Sequence, residues 1–269
     1  MNEKAALKNF YEQCGEKYPE EELVYKTLRG RLRKKFVIAY LQRMHGSLLE
    51  IGCNRGMYLQ NYHGGERFGI DLSFNVLRHA HTENPMSLAV SDAERLCFRG
   101  ESFDNILCSE VLEHCLHPQD IFKEIAAALK PQGHALLTTP NYTGARPQYI
   151  AMDILNDYAI DCECGDHYFH TAYKPEELVV FAKNAGLTVL ETGTFEKDVK
   201  YATKIPVLFL LLGRLLNRPF RSRKFDAANE AFFQHFSNAI YNVCHFTGLD
   251  KLLLKLVPLG VRSFIYMQK

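Results

Sequence analysis

Between Ser47 and Phe195 the chain alternates short apolar runs with amphipathic stretches, and this alternation restricts its fold more than any other feature. SLLEIG (47–52), ERFGIDLS (66–73), MSLAVSD (86–92), SFDNILCSE (102–110), HALLTTPN (134–141) and LTVLETGTF (187–195) are each brief and end near turn or polar residues. Runs of that length bounded by such signals read as buried strands. Between them, FNVLRHAHTEN, PQDIFKEIAAALKPQG and KPEELVVFAKNAG place apolar residues at helical spacing, two with Pro near the start. VRSFIYMQK, at 261–269, supplies a last strand. Strands alternating with helices predict an α/β fold: a seven-stranded, mostly parallel sheet with helices on both faces.

The pattern divides the chain. Residues 1–45 read as an N-terminal helical cap whose basic patch, RGRLRKK from Arg29 to Lys35, is expected to be a solvated face. Residues 46–198 form the ligand-binding core, 199–259 an apolar and basic helical insertion, and 260–269 the last strand of the core. Across 269 residues the net charge of +1 provides no drive toward nucleic acid. The first residues are polar and contain no apolar leader segment, and IPVLFLLLG, the longest apolar run, stops at Arg214. Eight cysteines, several inside apolar runs, form no small-domain disulfide framework. A cytoplasmic setting is the expectation.

LLEIGCNRG stops a buried strand on a carboxylate and a glycine turn. In an open parallel sheet, ligands bind beyond the carboxyl ends of the strands. Gly52 and Gly56 would let backbone N–H groups approach a ligand there, and Asn54 tolerates left-handed dihedrals. Glu50 would accept from a cationic or hydroxylated group. Asp71 follows about twenty residues later, at the end of the second strand, where an acid can hold both hydroxyls of a ribose. Asp92 and Ala93 after the third strand, and Ser109 and Glu110 after the fourth, reach the same crevice. Together they predict a nucleoside-containing ligand. The glycines follow G-x-x-x-G rather than G-x-G-x-x-G, which disfavours a nicotinamide dinucleotide.

LLEIGCNRG, GIDLS, SDAERL, FDNILCSEVLEH and LKPQGHALLTTPN, in that order, resemble the motifs of class I S-adenosylmethionine-dependent methyltransferases. The resemblance covers about residues 45–198 and the last strand, and is greatest to the ubiquinone/menaquinone-biosynthesis type of small-molecule enzyme. It implies a Rossmann-like fold, S-adenosyl-L-methionine as cofactor and S-adenosyl-L-homocysteine as product. It implies a small hydrophobic acceptor, with oxygen of a quinone precursor or natural-product phenol as the leading choice. By position, Glu50, Gly52, Cys53, Asn54 and Gly56 match the first motif. Asp71 matches the ribose acid and Leu72 the residue beside the adenine. Asp92 and Ala93 match the adenine edge, and Ser109 and Glu110 the segment beside the methionine part. Asn54 stands where the family usually has glycine. His114, ending VLEH, and His167, in GDHYFHTAYKPEEL, are the candidate general bases. Cys162, Cys164, His167 and His170 suggest zinc ligands, but their spacing does not match the common structural fingers, and no metal is expected.

From Tyr201 to Lys224 the chain is densely apolar and carries six basic residues and no acid. Two readings stand: a helical lid packed on the core, which is preferred, and an interfacial helix giving peripheral contact with an anionic membrane. Under both, this stretch and KLLLKLVPLG (251–260) would wall a hydrophobic substrate pocket. A non-catalytic module that keeps the cofactor fold, or a lipid, sugar or protein acceptor, is the alternative. A nucleic-acid substrate has no support in motif or charge.

Overall fold

A computed structural model describes residues 3–83, 86–162 and 165–269. In chain order the helices are α1 (Glu3–Lys17), α2 (Glu20–Val24), α3 (Leu28–Leu41), α4 (Met57–Gln60), α5 (Phe74–Glu83), α6 (Pro118–Ala128), α7 (Asp153–Asn156), α8 (Pro175–Asn184), α9 (Lys197–Ala202), α10 (Lys204–Asn217), α11 (Arg223–Thr247) and α12 (Asp250–Lys255). The strands are β1 (Leu48–Ile51), β2 (Arg67–Asp71), β3 (Ser87–Val90), β4 (Phe103–Ser109), β5 (Leu129–Pro140), β6 (Tyr149–Ala151), β7 (His167–Phe169), β8 (Thr188–Phe195) and β9 (Arg262–Gln268).

Seven strands form one sheet in the order β3-β2-β1-β4-β5-β9-β8. The pairs from β3 to β5 are parallel, and β9 runs antiparallel between β5 and β8. This is the seven-stranded, mostly parallel sheet that the alternation predicts, in the Rossmann-like form that the resemblance implies. β6 and β7 make a separate antiparallel hairpin within the loop containing His167, which the sequence reading did not anticipate.

β1 is buried along its whole length, as expected of a central strand. Its alternation sorts the two cores. Leu49 and Ile51 pack with Ile106, Cys108 and residues of α6 and α8, while Leu48 packs with Leu107, Leu136 and residues of α3, α4 and α5. Glu50 shares the parity of Leu48, so a carboxylate occupies a position the pattern would otherwise give to an apolar side chain. From β1 the chain runs outward through β2 to β3, then crosses back to β4 on the other side of β1. The crevice therefore opens at the carboxyl ends of β1 and β4, the topological switch point.

The N-terminal helices are tied to this end by polar bonds. Glu12 of α1 accepts from the Phe74 and Asn75 N–H groups at 3.0 and 3.1 Å and from the Ser73 hydroxyl at 3.0 Å, capping α5 from another part of the chain. α9 to α12 stand between β8 and β9. Tyr201, Ala202 and Cys244 of this segment pack on Leu28 at the start of α3.

Burial opposes ionisation of Glu12, but the N–H donors and Ser73 outweigh it and hold the carboxyl below its usual range. A carboxylate with a depressed folded value stabilises the fold above the ordinary glutamate range, and that contribution is lost as pH falls through the depressed value. Glu12→Ala should cost about 1 kcal/mol, the scale of a lost helix cap. Urea unfolding at neutral pH reads the loss, and the gap between variant and wild type should narrow in acid.

Candidate functional site

The turn after β1 is built around positive backbone angles. Gly52, Asn54 and Gly56 have φ of 69°, 47° and 80°. A Cβ on Gly52 would lie 2.3 Å from Val111 Cγ2, so both the dihedral and the space demand glycine. The Asn54 N–H donates to Asp71 Oδ2 at 3.1 Å and the Ser73 N–H to Asp71 Oδ1 at 3.0 Å. Asp71, which also interacts with the Leu72 N–H, thus holds the ends of β1 and β2 together, and its carboxylate retains acceptor capacity for a ligand. The Arg55 N–H donates to Glu21 Oε1 at 3.1 Å, which ties α2 to the same turn.

A cavity lies at this end of the sheet. Its floor includes Glu50, Gly52, Cys53, Asn54, Asp71 and Leu72, and its sides include Asp92, Ala93, Ser109 and Glu110. Of the binding residues nominated from sequence, Gly56 alone is outside the lining and instead begins α4. Tyr11, Tyr18 and Tyr25 from the N-terminal helices close the opposite side. No residue of 197–259 lines it, so Tyr201–Lys224 and Lys251–Gly260 do not form the expected wall. Their helices leave the sheet at the same carboxyl edge, between the end of β8 and the start of β9, but pack against the start of α3 and against one another.

The floor is acidic. Glu50 is 3% exposed, and its Oε2 has no hydrogen-bond partner. Burial, reinforced by Glu21 and Asp71, pushes its carboxyl well above the usual range. Burial also raises Asp71, against the N–H bonds it accepts. Asp92 Oδ1 accepts the Glu94 N–H at 2.9 Å and shapes the turn after β3. A buried carboxylate oxygen lacking a donor, beside two further acids, fits a ligand with a cationic group and hydroxyls. S-adenosylmethionine carries both.

Beyond the floor is a buried ion cluster. Glu110, with φ of 59°, meets Arg33 Nη1 at 2.8 Å and Arg262 Nε at 2.6 Å through Oε2 and accepts from the Thr138 hydroxyl at 3.1 Å through Oε1. Burial would raise Glu110, but the two guanidinium groups outweigh it and hold the carboxyl below its usual range. Burial drives nearby Glu196 up to about 7, against the pull of Arg262. The expectation of a solvated basic face fails at Arg33, which is 8% exposed, lines the cavity and lies 5.7 Å from the Tyr25 ring centroid. A signal was present. Arg33 shares a helical stripe with buried Val37, Tyr40 and Leu41, at spacings of four, seven and eight.

His114 lines the cavity, and its Nδ1 has no hydrogen-bond partner. Burial and the neighbouring His170 push it down to about 3. The His114 and His170 rings lie 4.8 Å apart, and the Tyr11 ring is edge-on to His114 at 5.6 Å. His167 is not brought to the cavity. It is exposed on β7, three residues before His170, so strand alternation sends the two histidines to opposite faces. Cys164 lies outside the described residues, and the Cys162 thiol donates to the His167 carbonyl at 3.5 Å. Glu113, His114 and His170 place one donor atom each within 4.8 Å of one another, a grouping absent from the C-x-C-x-x-H-x-x-H reading.

A family described as a methyltransferase domain matches residues 25–192. The ubiquinone biosynthesis O-methyltransferase of Xanthomonas axonopodis pv. citri (strain 306) is 29% identical over 166 residues, spanning 58% of this chain and 68% of its own. The protein of the same name from Coxiella burnetii (strain RSA 331 / Henzerling II) is 28% identical over 174 residues, spanning 60% and 71%. Among solved structures, an S-adenosylmethionine dependent methyltransferase from Mesorhizobium loti aligns with a TM-score of 0.52 at 15% identity, covering 86% of this chain and 96% of its own. Haemonchus contortus phosphoethanolamine N-methyltransferase 2 aligns at 0.53 with 19% identity, covering 97% and 60%. These two likenesses concern the fold.

Glu110→Gln would leave two buried guanidinium groups facing a neutral amide. It should destabilise the protein by about 3 kcal/mol, as removal of one member of a buried ion group does. Urea unfolding measures it, and a change below about 0.5 kcal/mol, the scale of an ordinary surface substitution, would dismiss the cluster as a structural tie.

Proposed function

The chain belongs to the methyltransferase-domain family, and from that premise we propose that it transfers a methyl group from S-adenosylmethionine to a small hydrophobic acceptor, with a phenolic oxygen favoured. The observation that carries this reading is the Glu50 Oε2 atom, buried without a partner in a cavity whose floor also holds Asp71 at the sheet's switch point. The relatives' name supports oxygen as the acceptor atom. The aromatic cap of Tyr11, Tyr18 and Tyr25 supports an apolar acceptor. Such an acceptor partitions into lipid, so a peripheral membrane position belongs to the same reading. Residues 46–198 with the last strand would be the catalytic core.

When bound, S-adenosylmethionine supplies a methyl group already activated on a sulfonium. The chain's own task is to orient and to exclude water. Asp71 would accept from the ribose hydroxyls with its remaining lone pairs, and Leu72 would pack beside the adenine. Asp92 and Ala93 would line the adenine edge. Glu50 would accept from the cationic amino end, and Gly52, Cys53 and Asn54 would let the backbone come close. Ser109 would flank the methionine part, with Glu110 held by its two arginines.

His114 is the candidate acceptor of the substrate's hydroxyl proton. Its depressed value keeps it neutral throughout the physiological range. A weak base suffices here, because a hydroxyl oxygen becomes strongly acidic as it forms a new bond to carbon.

Two measurements test this. Asp71→Asn keeps the side chain's shape but replaces an acceptor with a donor. Its affinity for S-adenosylhomocysteine by calorimetry should fall at least about tenfold, since bonds to charged groups contribute about 1.5–3 kcal/mol each. Equal affinity would refute the ribose assignment. For His114, a group whose value is lowered remains in its proton-accepting form above that value. Turnover should therefore show no acid limb near pH 6.5, the unperturbed histidine value, and His114→Gln should lower kcat about 100-fold with cofactor affinity retained. An acid limb near 6.5 that vanishes in His114→Gln would keep the role but contradict the depressed value, whereas unchanged kcat would remove the role.

A further inference from the structure

We propose that the outward face of α10, together with the turn joining it to α11, docks on an anionic lipid surface. The inference rests on exposed residues that line no part of the cavity and does not depend on the methyl-transfer reading.

α10 has 14 residues and so is about 21 Å long. Pro206, Leu210, Gly213 and Asn217 form its buried side. The other side is apolar as well. Ile205, Leu208, Phe209, Leu212, Leu215 and Leu216 are each about half exposed or more, with Leu208 at 64%. Their spacing of three and four residues lays them along one stripe. Phe220, in the following turn, is 81% exposed. A contiguous apolar face of this kind on a folded chain marks a contact surface.

The surface is built, not left over. Gly213 has no side chain, and a Cβ there would lie 2.4 Å from Asn229 Nδ2, so α10 and α11 approach closely. The Asn229 amide donates to the Leu210 carbonyl at 2.9 Å. Asn217 locks the turn, accepting from the Ser222 N–H at 3.0 Å and donating to its carbonyl at 2.9 Å. Phe209 packs against Phe232 and Phe236 of α11. These contacts hold a hairpin whose outer side has no apolar cover.

Charge identifies the occupant. Lys204, Arg214, Arg218, Arg221, Arg223 and Lys224 are all exposed, and residues 201–224 contain no acid. Arg214 reaches Glu230 at 3.5 Å, a solvent-exposed pair. An apolar stripe flanked by cations suits lipid tails with anionic headgroups, whereas a face made for a second copy of the same chain would bring like charges together. Among the described residues no helix is long and apolar enough to cross a membrane, so the contact lies in the interface.

Flotation of the full chain with vesicles tests this. One set contains phosphatidylcholine alone, the other equal parts phosphatidylcholine and phosphatidylglycerol. The wild type should float with the second set and remain behind with the first, and added salt should weaken the association. Leu208→Glu with Leu212→Glu should reduce it at least about tenfold, with calorimetric binding of S-adenosylhomocysteine and circular dichroism unchanged. If that pair perturbs folding, Arg218→Ala with Arg221→Ala should still produce a several-fold loss. Absence of flotation on anionic vesicles overturns the proposal. So does a wild-type dimer by light scattering that the glutamate pair returns to monomer, because the face would then serve a second copy. Flotation requires neither cofactor nor acceptor, so its failure is distinct from failure of the catalytic reading.

Discussion

Two guanidinium groups on one buried carboxylate hold the working end of this molecule together. Arg33 comes from the N-terminal helices, Glu110 from the end of β4 and Arg262 from the start of β9. No backbone ladder joins all three segments, so side-chain charge does. The group is costly to desolvate, and burial in such a place is sustained only when the partners satisfy one another closely. Its positive φ lets Glu110 turn inward at the strand end, a dihedral that a non-glycine residue keeps only when its surroundings hold it there. The shape of the cavity beside it follows: Arg33 and Glu110 are part of its wall, and their positions are set by each other.

The opposite side of the cavity follows a different rule. Burial raises both Glu50 and Asp71, with Glu21 and then Asp71 adding to Glu50, and Glu12 adding to Asp71. Asp71 is held by the backbone N–H groups of Asn54, Leu72 and Ser73, while one oxygen of Glu50 has no such donor. Acidic groups concentrated at a switch point favour a ligand with positive charge, and the unmet oxygen gives that preference a definite place. The two sides are therefore chemically distinct: a carboxylate-rich floor under the strands, and aromatic rings with one guanidinium group under the N-terminal helices.

Those helices are part of the site. Glu12 caps α5 across the chain, Glu21 anchors the turn at Arg55, and Tyr11 meets His114 edge-on. α1 is held by the Glu12 bonds and by Phe10, buried against Met152, Leu155 and Ile160, and so closes the cavity from outside the sheet. The helices between β8 and β9 are placed differently. They leave the sheet at its carboxyl edge but rest on α3 without lining the cavity, and α10 presents apolar residues outward.

The sequence by itself determined the sheet, the glycine turn and the acids at the strand ends. Each depends on residues close together in the chain: the short apolar runs of SLLEI and NILCS, glycine where only glycine fits, and an acid placed where its own strand stops. Asp71, Asp92 and Glu50 could be located because strand ends are local events. Arg33, Tyr11 and His170 could not, because what buries them comes from far along the chain. Arg33 read as one more cation in RGRLRKK until Glu110 and Arg262 enclosed it. His167 and His170 looked equivalent in one loop until the β6–β7 hairpin assigned them opposite faces. The apolar residues of α10 had the composition of a packed lid, and only tertiary structure turned them outward. Local propensity specifies an element and which of its residues share a face; what lies opposite that face is decided by packing between distant segments.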